Sequence, residues 1–153
     1  MAERGAASRA IVPVASRLVS VSHPRANIMS TAPLDYDGLM QANLAQVFGE
    51  RDASRRLKAI AQLYAPDATL YEPSAEAKGH AAINEAVEAL LAHLPPNFAF
   101  SANGPAVGHH GIGRLRWQSG PANGPVAVSG TDVAHFESGR IHSLYVFLDP
   151  AAT

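Results

Sequence analysis

The 153-residue chain has no cysteine. That excludes a disulfide-held scaffold and any Cys-ligated zinc or iron–sulfur site. It also removes thiol chemistry, while leaving the redox compartment open. Charge of one sign is lacking too, since 12 Lys+Arg face 13 Asp+Glu for a net charge of −1. Such a balance argues against a whole-chain nucleic-acid binder. No apolar run approaches the ~18 residues of a membrane-spanning helix, so the expectation is a soluble, cytoplasmic protein with no membrane partner. There is no G-x-S-x-G elbow, no phosphate loop and no dinucleotide fingerprint, and Gly111-Ile-Gly113 is too short to be one. Repeats and low-complexity blocks are also missing.

What is present suits one domain. Hydrophobic residues make up 47% of the chain, enough for a real core. The charge, however, is uneven. Residues 1–30 carry Arg4, Arg9, Arg17 and Arg25 against Glu3, a net of +3, which leaves −4 on residues 31–153. The front segment is Arg-rich, Ser-rich and acid-poor, as organellar transit peptides are. The alternative is an upstream start, with Met29 opening the functional chain. Residues 1–30 are therefore expected to be a disordered leader, with an organellar location if the transit reading holds, and residues 31–150 to be the folded domain.

Three helices are expected in the first half of that domain. Asp35 is an N-cap, and Leu39, Met40, Leu44, Val47 and Phe48 recur at three- and four-residue steps, so 36–49 reads as amphipathic. Asp52 caps a second helix with Leu57, Ile60, Ala61 and Tyr64 on one face, ended by Pro66. Ile83, Val87, Leu90, Leu91 and Leu94 mark a third helix over 81–94, stopped by Pro95-Pro96. Between helices two and three, 68–72 alternates as a strand, and 73–79 reads as a loop. Beyond Pro96 the pattern is strands: 97–101, 113–119, 126–137 and 140–148, with Gly120 to Pro125 as a turn cluster and Ser138-Gly139 as a hairpin turn. Helices segregated from an antiparallel meander form an α+β plan, with a pocket where sheet and helices meet.

Two acids stand out. Glu72 shares a strand face with Ala68 and Leu70, which places its carboxylate either among apolar neighbours in the pocket or, at the strand end beside Pro73, in solvent. Asp132 lies mid-strand, where Asp is disfavoured; it reads as a structural hydrogen-bond acceptor near Gly130. Trp117 is the only Trp and reads as core or pocket wall. The histidines offer no metal set: His109 and His110 are adjacent and would point oppositely on a strand, and His80, His135 and His142 lack ligand-type spacing. No metal and no organic cofactor is expected.

Tyr64-Ala-Pro-Asp-Ala-Thr-Leu-Tyr-Glu-Pro73, Lys78-Gly79-His80 opening a helix, and Thr131-Asp-Val-Ala-His-Phe-Glu-Ser-Gly-Arg-Ile141 with a terminal aromatic strand resemble the nuclear-transport-factor-2-like superfamily, in its SnoaL-like and ketosteroid-isomerase-like branch. The resemblance covers about residues 36–149. It implies a cone-shaped, curved mixed sheet wrapped around three N-terminal helices. In ketosteroid isomerases the general base is an Asp just before the Pro of the first strand, and Glu72 holds that place. The acidic oxyanion donor three residues before the hairpin Asp corresponds to Ser129. The oxyanion Tyr of the first helix falls near Asn43 or Leu44, a supporting Tyr falls at Val87, and Tyr64 matches another Tyr of that network. Asp132 matches the hairpin Asp, architectural in many members. The base is thus kept and the oxyanion hole largely replaced, which fits a cyclase-type remnant better than a steroid isomerase. The R-x-D of limonene-epoxide-hydrolase-like enzymes is absent.

The resemblance further implies a pocket lined by Tyr64, Leu115, Trp117, Ser129, Leu144, Val146 and Leu148. Ser143, Tyr145 and Phe147 fall on the opposite face, where family members often dimerise. Two functions stay open. One is acid–base proton transfer on a small hydrophobic carbonyl compound, with Glu72 and Ser129 catalytic and Asn43 or Asp132 as polar support. The other is a non-catalytic binding or dimerisation module.

Overall fold

The structure, a computed structural model, describes residues 33–151; the leader expected over 1–30 lies outside them. Helix α1 (Tyr36–Asn43) starts where the Asp35 carboxylate accepts a hydrogen bond from the Gly38 N–H at 2.9 Å. It continues as a π-helical turn over Leu44–Phe48, closed by the Gly49 N–H donating to the Leu44 carbonyl at 2.8 Å. The wider turn buries Leu44, Val47 and Phe48 together. Helix α2 (Ala53–Leu63) begins at Asp52, which accepts from the Arg55 N–H at 2.8 Å. It stops three residues before Pro66: Tyr64 is already extended, and Ala65 is kept out of the helical region by the proline after it. Helix α3 (His80–His93) follows Gly79, whose φ of 89° only glycine adopts freely.

The sheet has seven strands: β1 (Tyr64–Glu72), β2 (Ala75–Lys78), β3 (Phe98–Ala102), β4 (Val107–His109), β5 (Ile112–Pro121), β6 (Val128–Glu137) and β7 (Arg140–Leu148). Their order is β2-β1-β7-β6-β5-β3, with β4 paired to β5 beside that path. β1 and β7 run parallel and every other pair is antiparallel, so the sheet is mixed, as well as curved and unclosed.

Two strands were not legible in the sequence. The expected loop 73–79 contains β2, which pairs with β1 from Glu72↔Ala75 to Thr69↔Lys78 across the Pro73-Ser74 turn. Ala-Glu-Ala-Lys carries no alternating pattern because this edge strand is largely exposed. β4 is three exposed residues returned to β5 through His110 and Gly111, both at positive φ. β1 also begins four residues earlier than expected, with an irregular register against β7 between Tyr64 and Thr69.

The core lies between the helices and one sheet face. Met40, Val47, Ile60, Ile83 and Val87 from the helices meet Ala68, Leu70, Leu115, Ala134, Ile141 and Leu144 from the strands. One buried charge ties the helices: Arg56, fully buried, donates from Nε to Asn84 Oδ1 at 2.6 Å, from a terminal nitrogen to the Glu50 carbonyl at 2.7 Å, and pairs with Glu88. His80 Nε2 donates to the carbonyls of Tyr64 and Ala65 at 3.1 and 3.0 Å, fastening α3 to the start of β1. No helix among the described residues is long and apolar enough to cross a membrane.

Candidate functional site

A cavity of about 320 Å³ opens between the helices and the concave face of the sheet. The π-helical turn supplies Leu44 and Phe48, α3 and its end supply Leu90 and Leu94, and the strands supply Phe100, Trp117, Val128, Val146 and Leu148. Against this apolar wall stand few polar groups: Glu72 and Ser74 at the β1–β2 turn, Ser119 on β5 and Asp132 on β6. Among the described residues no Lys, Arg or His lines it. A cavity without a cation suits a neutral, mainly apolar molecule better than a carboxylate or phosphate.

Strand periodicity delivers these groups. Ala68, Leu70 and Glu72 share one face of β1; the first two are fully buried, and the third reaches the cavity rim, half-buried. Burial pushes the Glu72 carboxyl above its ordinary value. On β5, Leu115, Trp117 and Ser119 form the inner row. On β6 the inner row is Gly130, Asp132, Ala134 and Phe136.

Asp132 and Trp117 form one unit. Trp117 Nε1 donates to Asp132 Oδ1 at 2.8 Å, and the indole packs edge-on against Phe100 at 5.7 Å between centroids. Gly130, paired directly with Trp117, makes room for the ring: a Cβ there would come within 2.6 Å of the indole and 2.4 Å of the Phe147 carbonyl oxygen. Asp132 is 3% exposed, and burial raises its pKa to about 7 despite the opposing Trp117 hydrogen bond. Near neutral pH its carboxyl is therefore protonated in a large fraction of molecules, and able to donate a hydrogen bond.

The remaining expected site residues divide. Trp117, Val146 and Leu148 line the cavity, and Trp117 and Leu148 leave it open. Tyr64, Leu115 and Leu144 are core residues and do not reach the wall. Tyr64 donates its hydroxyl to Asn43 Oδ1 at 2.5 Å, both side chains fully enclosed. Burial above all, then the Asp132 charge, pushes the Tyr64 phenol well above its ordinary value, so it stays neutral.

Ser129 is a correction. It lies one residue out of phase with the inner row of β6, and its hydroxyl donates to Asp149 Oδ2 at 2.7 Å outside the cavity. Ser129 and Asp132 are three apart, so a regular strand cannot turn both inward. Asp132, read from the sequence as structural, takes the inward place. Ser119 was overlooked, although it follows Leu115 and Trp117 at steps of two. Its Oγ is buried with no hydrogen-bond partner among the described residues. His109 and His110 also converge, their Nδ1 atoms 2.9 Å apart, because His110 sits in the turn at φ 51° and not on the strand.

Comparison with known proteins agrees with this architecture. Among solved structures, a proposed isomerase of the SnoaL-like family from Agrobacterium tumefaciens is similar over 75% of this chain and 97% of its own, with TM-score 0.70 and 28% identity. A proposed polyketide cyclase from Sinorhizobium meliloti shares the fold at TM-score 0.56 and 17% identity, over 71% of this chain and 93% of its own. A proposed ketosteroid isomerase from Kribbella flavida does so at TM-score 0.60 and 13% identity, over 77% and 80%. No curated protein matches the sequence significantly. The sequence model of the SnoaL-like domain matches residues 44–144, which run from the π-helical turn to the middle of β7 and hold both cavity carboxyls, and the chain belongs to that family.

Proposed function

We propose that the protein is a cofactor-independent enzyme of the isomerase or cyclase type, moving a proton on a small hydrophobic carbonyl compound held in the cavity. The observation that carries this reading is the pair of carboxyl groups, Glu72 and Asp132, both with raised pKa and both facing one apolar cavity. Glu72, at the rim, is the base: its carboxylate takes a proton from the carbon next to the substrate carbonyl. The negative charge moves to the carbonyl oxygen, where protonated Asp132 donates a hydrogen bond, its other oxygen held by Trp117. Protonated Glu72 then returns the proton at the far carbon of a conjugated enolate, or the enolate closes a ring onto a second carbonyl, whose oxygen takes the proton back from Glu72. Asp132 replaces Ser129 in the supporting role, because Ser129 is bonded elsewhere.

The test is hydrogen–deuterium exchange at carbon. Neutral hydrophobic ketones and 1,3-diketones are incubated with the full-length protein in deuterated water, and label is read by mass spectrometry. Exchange that is lost in Glu72→Gln supports the reading. Saturable binding without exchange favours the non-catalytic module, which the same apolar walls also serve.

The homodimer expected through the sheet belongs here as well. Tyr71 stacks on Tyr145 at 4.7 Å on the outer face, and Phe147 beside them is 56% exposed. Light scattering of the wild type and of Phe147→Asp checks it: a dimer that the substitution converts to monomer supports this face, and a monomeric wild type rejects it.

A further inference from the structure

The outer face of the β6–β7 hairpin gathers three side chains that the cavity does not use. His135 and Glu137 are two apart on β6 and so share the face turned away from Asp132, Ala134 and Phe136. The Ser138-Gly139 turn sets Glu137 opposite Arg140 and Phe136 opposite Ile141, after which the register shifts so that His135 faces Ser143. Along β7 the buried residues Ile141 and Leu144 are three apart instead of two. The extra residue of this bulge brings His142 beside His135. Their rings lie 5.8 Å apart, and each Nε2 approaches a different oxygen of Glu137, at 4.0 Å from His135 and 3.9 Å from His142.

These three ligand atoms lie within 4.8 Å of one another. Around a tetrahedral zinc ion with bonds of ~2.0–2.1 Å, ligand atoms are about 3.3 Å apart. Closing that gap takes a small rotation of side chains that are 36–56% exposed and free to move. A second observation orients one ligand. His142 Nδ1 lies 3.2 Å from Ser143 Oγ; donating there leaves the Nε2 lone pair directed to the Glu137 side. Two imidazoles and a carboxylate are ligands of the intermediate class that zinc and copper favour over magnesium or calcium.

We propose that His135, Glu137 and His142 bind one divalent first-row cation of the zinc class, with water completing its coordination, on the sheet face opposite the cavity. The site is independent of the proton-transfer reading. Zinc chloride is titrated into the full-length protein by calorimetry in a non-chelating buffer, with thermal unfolding followed in parallel. The expected result is one equivalent bound and a zinc-dependent rise in Tm. Both disappear in His135→Ala/His142→Ala, and Glu137→Gln weakens binding about tenfold or more. His109→Ala/His110→Ala removes the other close histidine pair and leaves binding unchanged. Circular dichroism without zinc establishes that each variant is folded. No saturable uptake by the wild type, uptake that survives in His135→Ala/His142→Ala, or uptake lost in His109→Ala/His110→Ala overturns the proposal.

Discussion

The indole of Trp117 donates a 2.8 Å hydrogen bond to the buried carboxyl of Asp132, from the neighbouring strand and on the cavity side of the sheet. The bond favours the ionised carboxylate, and burial opposes it more strongly, leaving the group near 7 instead of its ordinary 3.8. Asp132 is therefore a neutral donor or a charged acceptor within the physiological pH range.

That placement links stability to pH. The folded pKa lies above the unfolded one, so the contribution is fully present below pH 3.8 and is lost as pH rises through about 7. The full loss is on the order of 4 kcal/mol. Asp132→Asn keeps an acceptor for Trp117 and removes the ionisation. Urea unfolding at pH 4 and pH 8 checks this: the variant is expected to match the wild type at pH 4 and exceed it clearly at pH 8. A difference that does not change with pH counts against it.

The same two carboxyls shape the rate profile of the proposed reaction. Glu72 must be ionised to accept a proton, and burial lifts its pKa, so the acidic limb of kcat/KM lies above the ordinary glutamate value of 4.5. Asp132 must hold its proton, so activity falls again near pH 7. Glu72→Gln is expected to lower kcat/KM about 10²–10⁴-fold with ligand binding retained. Asp132→Asn is expected to remove the alkaline limb. An unchanged limb in that variant assigns it to another group.

Ser119 Oγ faces the cavity without a partner among the described residues. A hydroxyl that bonds no other part of the fold adds little to its stability and keeps its donor and acceptor capacity for what enters the cavity. Ser119→Ala is thus expected to leave the empty protein as stable as the wild type or more so, while weakening the binding of a carbonyl ligand. Thermal unfolding and ligand titration on the same samples check both halves. Lost stability with unchanged ligand affinity contradicts the assignment.

Arg56 and Glu88 separate a buried charge from an exposed one. Arg56→Ala strands Asn84 Oδ1 and the Glu50 carbonyl and unties α2 from α3; it is expected to cost about 3 kcal/mol or more. Glu88 is 57% exposed, but Glu88→Gln leaves the buried Arg56 guanidinium without its carboxylate, so it is expected to cost less than Arg56→Ala and more than the about 1 kcal/mol of a surface pair. Chemical denaturation of the two variants side by side checks the ratio, and equal costs contradict it.

Local chemistry was written in the chain. Asp35 and Asp52 started the helices named for them, and Pro95-Pro96 stood just past the end of α3, because caps and prolines act within one turn. The alternation of β1, β5 and β6 put Glu72 with Ala68 and Leu70, and Trp117 with Leu115, because strand faces follow from a period of two. The family was legible in those strand motifs for the same reason.

Depth and neighbourhood were decided only by the tertiary structure. Burial, and not residue type, made Asp132 a group titrating near 7, and it depends on how far the helices cover β6. Tyr64 and Leu144 share the pattern of wall residues, yet they are sealed in the core, since periodicity gives a side and not a distance from the cavity. His135 and His142 became neighbours through a hairpin and a bulge, a one-residue shift that no spacing rule announces. Absent cysteine excluded thiol chemistry from the sequence outright, since composition can remove a reactive group. Bringing two carboxyls to one apolar cavity took the curvature of the sheet and its helices, because proximity across strands is a property of the fold.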